Sequence, residues 1–558
     1  MQIIFYGLII VLALFIWSTV NERNLKKKRI EQLKAEWGKI PEQEFTYEKF
    51  ESLRAYYDTL QDDRLDVDDI TWNDLDLDDI FILMNNTQTS IGEEYLYSIL
   101  RKPCYSQEEL SERNRLMCFF EENEASRIKL QTTFFSIGKY TRISIYEYLS
   151  TLDNQETRKV TGNILMGIGL ILSIALIFVR PPMGGMLTVA FIANNIYQYY
   201  MQKAKIEKYL TVFAYIIRLL CAVDEMDKLD IPEIKQHTDQ LKQDCNVFSS
   251  FRRGSGIVAP KNNSGSMVDA LFDYVRMLFH IDLIKYYSML NFFKKNREVL
   301  DRIYSNIGYL DSMVAAASFR RMLAYYCEPV LVKGRKPELT ADDLYHPLIA
   351  EPIPNSISEN RCVLLTGSNA SGKSTFIKTL AINAILAQTI YTATCRSYKA
   401  SYYMICSSMA LRDNILSKES YYMVEIKSLK RILDRVNDDI PTLCFIDEVL
   451  RGTNTLERIA ASSRILSSLA KKNTLVFAAT HDIELTHILE NSYSNYHFQE
   501  RIEGNEIIFD YKLYQGKAVS KNAIKLLDML QFPKEITKSA ETAAEEFLKT
   551  GEWEKISL

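Results

Sequence analysis

The sequence predicts an α/β domain on a parallel sheet at the C-terminal end, an all-α domain before it, and three membrane-spanning helices. Three observations carry this. A glycine-bounded loop at 367–374 sits between an apolar run and a helical pattern, long apolar stripes recur at helical spacing upstream, and three runs are almost free of charge.

The loop reads Gly367, Ser368, Asn369, Ala370, Ser371, Gly372, Lys373, Ser374, with Thr375 following. It has the spacing of a phosphate-cradling loop, in which two glycines let backbone N–H groups turn inward around an anion. Val363 to Leu365 read as the buried strand before it, and Phe376, Leu380, Ala384 and Ala387 as the helix after it, whose N-terminus favours negative charge. In such a site Lys373 reaches the β/γ-phosphates and Ser374 offers a hydroxyl to Mg²⁺. The cofactors expected are therefore ATP and Mg²⁺.

Seventy-four residues beyond Lys373, the apolar run Thr442 to Ile446 ends in Asp447 and Glu448. A buried strand that delivers two carboxylates at its tip suits metal holding by Asp447 and activation of the attacking water by Glu448. A third strand, Thr474 to Ala479, ends in Thr480, His481 and Asp482, which sets an imidazole near the same edge as sensor or water-positioner. The expected catalytic residues are Glu448, Lys373 and His481. The expected metal ligands are Ser374 and Asp447.

The apolar runs come next. Ile3 to Val20 would form a helix of about 27 Å, close to one hydrocarbon thickness, and basic residues from Arg23 to Arg29 follow it. That order fits an uncleaved anchor with the remainder of the chain on the cytoplasmic side. Val160 to Val179 and the weaker run Met186 to Tyr200 are separated by Arg180 and a proline- and glycine-rich turn. Lysines and arginines flank both ends. They read as a transmembrane hairpin, with a buried helical hairpin as the alternative. A multi-pass cell-membrane protein with its C-terminal domain facing the cytoplasm is expected.

The rest of the chain is laid out between these marks. Residues 1–22 are read as the anchor, 23–66 as a charged stalk, 67–340 as the helical domain interrupted at 160–200, and 341–558 as the α/β domain. Nine aspartates between Asp62 and Asp79 lack the turn glycine of a calcium loop and read as a solvated acidic face with N-cap residues. The net charge of -4 gives no global electrostatic case for nucleic acid, and nine cysteines without a paired metal-like spacing read as reduced residues. No structural metal is expected.

The chain resembles the MutS family of mismatch-repair ATPases. The likeness runs through residues 366–375, Leu386 to Gln388, Ser417 to Ile426, Phe445 to Thr455, Ala478 to Thr486 and Tyr511 to Ile524. It extends more weakly to Leu75 to Leu116, Val299 to Phe319 and Tyr345 to Leu348. It implies an ABC-like ATPase domain behind a helical core and lever, a homodimer through the ATPase domains, and two composite ATP sites. It further implies that Ser420 reaches the partner's nucleotide and that Arg451 to Thr455 lie at that interface.

Departures limit the transfer. Ser368, Ala370 and Ser371 stand where the family has Pro, Met and a second Gly, Ala523 stands for a glycine, and no adenine-stacking aromatic is evident around Ile353. A member without the mismatch-reading, connector and clamp domains is expected. Phe119 to Glu121 fits the reader's Phe-x-Glu only formally, and 249–267, with Arg252, Arg253 and Lys261, is a short polar loop. The function expected is Mg-dependent ATP hydrolysis coupled to DNA binding of the mismatch-repair or damage-sensing type, without secure mismatch specificity. The alternative is a membrane-remodelling or transport-associated ATPase with a protein or lipid partner and no DNA role.

Overall fold

The computed structural model describes residues 23–43, 45–60, 65–140, 144–151, 160–249, 274–334, 336–368, 371–409, 421–503, 506–518 and 532–555, with a few isolated positions beside them. The chain folds into two compact units. One comprises Met1–Gln61, Phe81–Ile99 and Ser111–Met322, and the other Asp62–Ile80, Leu100–Leu110 and Leu323–Leu558.

The first unit is helical in its described residues. Its longest helices are Pro181–Lys228, of 48 residues, and Arg297–Met322, of 26. The second of these crosses the helix Ser90–Arg101 at backbone contact, because the small residues Gly92 and Gly308 fall at the crossing. A Cβ on Gly92 would lie 2.2 Å from Asp311 Oδ2, and one on Gly308 would lie 2.8 Å from Tyr95 Cβ. The buried Asp311 carboxylate accepts from Gln88 N, Thr89 N and Thr89 Oγ1 at 2.7–3.1 Å, which ties the start of one helix to the middle of the other. Glu94, on the next turn, is pushed up by burial to about 8 and sits between Tyr304 and Ser144. Phe119 to Glu121 lie inside the helix Gln107–Glu122 with Phe120 fully buried, so this motif is packing.

The membrane reading is overturned. Among the described residues no helix is long and apolar enough to cross a membrane. The run from Val160 forms a helix of only 17 residues, Thr161–Ile177, at the short end of the range for a span. The second run is no separate span: the prolines start the 48-residue helix, and Gly184 and Gly185 lie within it. One of its asparagines is used in packing, since buried Asn195 donates to Leu278 O at 2.9 Å and its backbone carbonyl meets His280 Nε2 at 2.9 Å. The first expected span, 3–20, lies outside the described residues except for Trp17 and Val20. The multi-pass placement and the integral-membrane partnership that rested on three spans fall with them. Leu165, Leu172, Phe178, Met186 and Val189 of the hairpin are exposed.

The second unit holds two sheets. The larger runs in the order β10 (Glu506–Gln515), β9 (Tyr493–Glu503), β4 (Cys362–Thr366), β8 (Thr474–Ala479), β7 (Thr442–Asp447) and β6 (Met404–Ser408). Five of these are parallel and β10 is antiparallel, so the sheet is mixed where a parallel one was expected. The central β4 and β8 are buried at every residue, as strands covered on both faces must be. The smaller sheet, β1 (Val330–Val332), β5 (Ser397–Ser401), β2 (Leu339–Leu344) and β3 (Asn355–Glu359), is also mixed.

The aspartate segment belongs to this unit and is largely paired. Asp68 caps the helix Asp69–Asp74 by accepting from Thr71 N, and its carboxylate also takes Arg431 at 2.5 Å and Arg435. Asp74 accepts from Ser407 Oγ at 2.6 Å and from Met409 N at 3.0 Å, and Asp76 pairs with Lys378 at 2.6 Å.

Two stability outcomes follow from this packing. Gly92→Ala should cost about 1–3 kcal/mol by overpacking. Gly185→Ala, where a Cβ meets nothing within 4 Å, should be neutral or stabilising. Equal midpoints for the two variants in urea unfolding would refute the crossing argument. Asp68→Ala, which strands two arginines and a helix N-terminus, should cost roughly 2–4 kcal/mol in the same measurement.

Candidate nucleotide site

The parallel register decides what meets what. Leu365 pairs with Ala479 across β4 and β8, and Asp447 pairs with the same Ala479 across β7 and β8, so three strand tips end level. Hydrogen bonds carry the alignment past the strands: Thr480 N donates to Leu365 O at 2.9 Å and Glu448 N to Ala479 O at 3.0 Å.

The loop leaves β4 through Gly367 at φ 144° and enters the helix Lys373–Thr389 through Gly372 at φ 105°. Both angles belong to glycine. A Cβ on Gly367 would lie 2.8 Å from Phe498 O, so sterics as well as φ exclude other residues. Lys373 is nearly buried, and its Nζ donates to Gly367 O and Ser368 O, each at 2.8 Å, curling the side chain back over the loop. Burial lowers the Lys373 ammonium, against the opposing pull of Asp447, Glu448 and Glu500. Ser368 Oγ donates to Glu500 at 2.8 Å, and the buried Ser371 Oγ has no hydrogen-bond partner among the described residues. Asn369 and Ala370 lie outside the described residues, and Thr375 is exposed on the first turn of the helix.

Ser374 Oγ donates to Asp447 Oδ2 at 2.5 Å. A hydroxyl and a carboxylate sharing one point at the mouth of a phosphate loop form an oxygen donor pair suited to a hard cation that also needs phosphate oxygens. The orphaned Ser371 hydroxyl and the buried ammonium beside it suit an anion. The residues present therefore fit ATP with Mg²⁺.

Glu448 follows at φ 56°, a strained conformation for a residue with a side chain. Its two oxygens are divided between His481 Nε2 at 3.0 Å and Arg451 Nε at 2.7 Å. The His481 hydrogen bond, helped by the Arg451 charge, holds its carboxyl below the ordinary glutamate range. His481 is anchored in turn by its neighbour: Arg458 donates twice to Asp482, at 2.8 and 2.6 Å. The turn after Glu448 is held by Glu425, which accepts from Arg451 N at 3.1 Å. Arg451, Arg458 and Glu425 were not singled out for these contacts by sequence reasoning, and only the three-residue step from Glu448 to Arg451 hinted at one. Ser420 and Ala523 lie outside the described residues.

A cavity of about 380 Å³ opens beside the loop, lined by Gly372, Thr375 and Phe376 and by His346, Ile353 and Tyr511 among others. The sequence offered no aromatic near Ile353 for a base. The structure supplies Tyr511 from β10, at φ 52°, in an irregular stretch of the β9–β10 pairing between Phe509 and Leu513. Asn355 secures that stretch on both sides: its Nδ2 donates to Tyr511 O at 2.9 Å, and its Oδ1 accepts from Leu513 N at 2.7 Å. The signal was unreadable in sequence because Asn355 and Tyr511 are 156 positions apart.

Strand tips, glycine loop, carboxylate pair and adjoining cavity thus come together in one α/β domain. The model of MutS domain V matches residues 363–548. Among curated relatives, the DNA mismatch repair protein MutS of Thermotoga petrophila is 26% identical over 257 residues, 44% of this chain and 32% of that protein. The DNA mismatch repair protein MSH3 of Debaryomyces hansenii is 28% identical over 274 residues, 45% of this chain and 26% of that protein. The C-terminal part of the chain is thus similar to the MutS family, and the match spans about a third or less of the length of those relatives.

Asn355→Ala should lower stability by about 1 kcal/mol, since two backbone groups lose a partner at a partly wet site. Tyr511→Ala, at a half-exposed ring, should stay within about 0.5 kcal/mol of the parent. Thermal unfolding of both variants checks the order, and a larger loss for Tyr511→Ala would refute the assigned roles.

Proposed function

We propose that the C-terminal unit binds ATP with Mg²⁺ and hydrolyses it to ADP and phosphate, in a homodimer with composite sites, and that this cycle is coupled to DNA binding. The observation that carries the reading is the 2.5 Å meeting of Ser374 and Asp447 beside Lys373, with Glu448 one residue further on. Similarity of residues 363–548 to MutS domain V supports ATPase chemistry, and the relatives' names as DNA mismatch repair proteins support the DNA partner.

Each residue has a role in the proposal. Loop amides from Gly367 to Thr375 and the Lys373 ammonium bind the phosphates, and Ser374 and Asp447 hold the metal, which supplies charge neutralisation when bound. Glu448 takes the proton of the attacking water. His481 orients Glu448 through its hydrogen bond, and Tyr511 with Ile353 encloses the base. Ser420 contacts the nucleotide of the neighbouring subunit. No mismatch reading is assigned, because the family match covers domain V alone.

Glu448→Gln should reduce ATP turnover by about 10²–10⁴-fold while nucleotide binding persists; unchanged turnover would refute the catalytic assignment. Tyr511→Ala should weaken ATP binding by about 5- to 150-fold, the range of one lost base-stacking contact. Glu448 must be ionised to act, and His481 keeps its carboxyl low. His481→Ala should therefore raise that carboxyl and move the acid limb of the pH–rate profile upward, and an unmoved limb would count against the pairing. For the DNA partner, retention of duplex or branched DNA by the full chain is measured against salt with and without ATP. Affinity falling steeply with salt is expected, and no binding in any nucleotide state would end the DNA reading.

A further inference from the structure

Outside the nucleotide site, two thiols of the second unit face each other where nothing in the phosphate chemistry needs them. Cys327 Sγ lies 3.4 Å from Cys395 Sγ. We infer that Cys327 and Cys395 are a vicinal oxidation site that closes into a disulfide under hydrogen peroxide, with Cys327 as the attacking and Cys395 as the resolving sulfur.

The backbone holds the pair in place. Cys327 and Ala393 exchange both hydrogen bonds of an antiparallel bridge, at 2.9 and 3.0 Å, and Cys395 N folds back to the same Ala393 O at 2.9 Å. One carbonyl oxygen thus organises both cysteine backbones. Nearby, Arg396 packs over the Tyr325 ring at 4.6 Å, each close in sequence to one of the cysteines, and Tyr325 in turn packs edge-on against Tyr345. The remaining gap to a bond of about 2.0 Å is small enough for side-chain rotation to close.

The two sulfurs differ as an attacking and a resolving thiol must. Cys327 is half-buried and Cys395 is fully buried. The hydrogen bond between them lowers the Cys327 thiol, and the same bond together with burial raises Cys395. The more accessible sulfur therefore has the greater thiolate character, the combination that makes a cysteine susceptible to peroxide.

The steps balance. The Cys327 thiolate attacks one peroxide oxygen, the O–O bond breaks, and the departing hydroxide takes a proton to become water, leaving a sulfenic acid. Cys395 sulfur then attacks Cys327 sulfur, the S–O bond breaks, and the hydroxyl leaves as water with the Cys395 proton. Two thiols and one peroxide give one disulfide and two waters. The cysteines are 68 positions apart, and the loop so closed contains the whole phosphate loop and its helix.

The test uses the full chain, treated with hydrogen peroxide, quenched and alkylated under denaturing conditions before peptide mapping. Reactive thiols should fall from nine to seven, with a peptide linking Cys327 to Cys395, and the melting temperature should rise by several degrees until a dithiol reductant is added. Cys327→Ser should abolish the link, Cys395→Ser should leave Cys327 to oxidise to sulfinic acid, and Cys221→Ser should leave the link intact. Retention of nine thiols in the parent chain, or a link that maps elsewhere, would overturn the inference without any variant having to fold.

Discussion

The parallel register of β4, β8 and β7 is the constraint on which the site depends. Side chains alternate along a strand, so a slip of one residue in β7 would send Asp447 to the opposite face and bring its neighbour to the loop. Side-chain packing opposes that slip, since it would exchange Leu443 and Phe445 on one face with Cys444 and Ile446 on the other. Leu443, Phe445, Val476 and Phe477 are fully buried, and the alternative register would turn a whole set of side chains toward the wrong layer. The hydroxyl of Ser374 thus meets a carboxylate in the register that the apolar residues of β7 and β8 adopt.

Around this frame the charges are arranged in a chain. Glu448 is shared by His481 and Arg451, His481 is followed by an aspartate fixed by Arg458, and Arg451 lends its backbone to Glu425. The strained backbone at Glu448, and at Leu450 after it, keeps the carboxylate turned to this company. Lys373 feels three carboxylates and still has its ammonium lowered, because burial outweighs them. Geometry and electrostatics at the strand tips therefore come from the same few turns.

Legibility in sequence followed burial and locality. The strands behind the loop could be read because runs such as Val363 to Leu365 and Thr474 to Ala479 are apolar throughout, the mark of strands covered on both faces. The loop residues and the Asp447 and Glu448 pair were legible because their spacing is local. Hydrophobicity alone misled at 160–200, where the apolar stretch became a short helix and the first part of a 48-residue one, with Asn195 hydrogen-bonded to Leu278 O and His280. Contacts between distant segments were invisible: Asn355 beneath Tyr511, the shared Ala393 carbonyl, and Asp68 against Arg431 and Arg435 have no local pattern.

The assignment of residues 62–80 to the second unit bears on how the chain is made. Asp68, Asp74 and Asp76 leave the ribosome well before Arg431, Arg435, Ser407 and Lys378 exist to receive them. At translation speeds of about 5–20 residues per second, the wait until Leu323 onward begins to emerge is on the order of tens of seconds. During that time the early segment has only local contacts such as Asp69 with Arg101, and the unit closes only after the helical unit encoded between its pieces has been synthesised. Expression from a start codon placed after the helical unit would yield a sheet whose arginines at 431 and 435 have lost the acid they were built around.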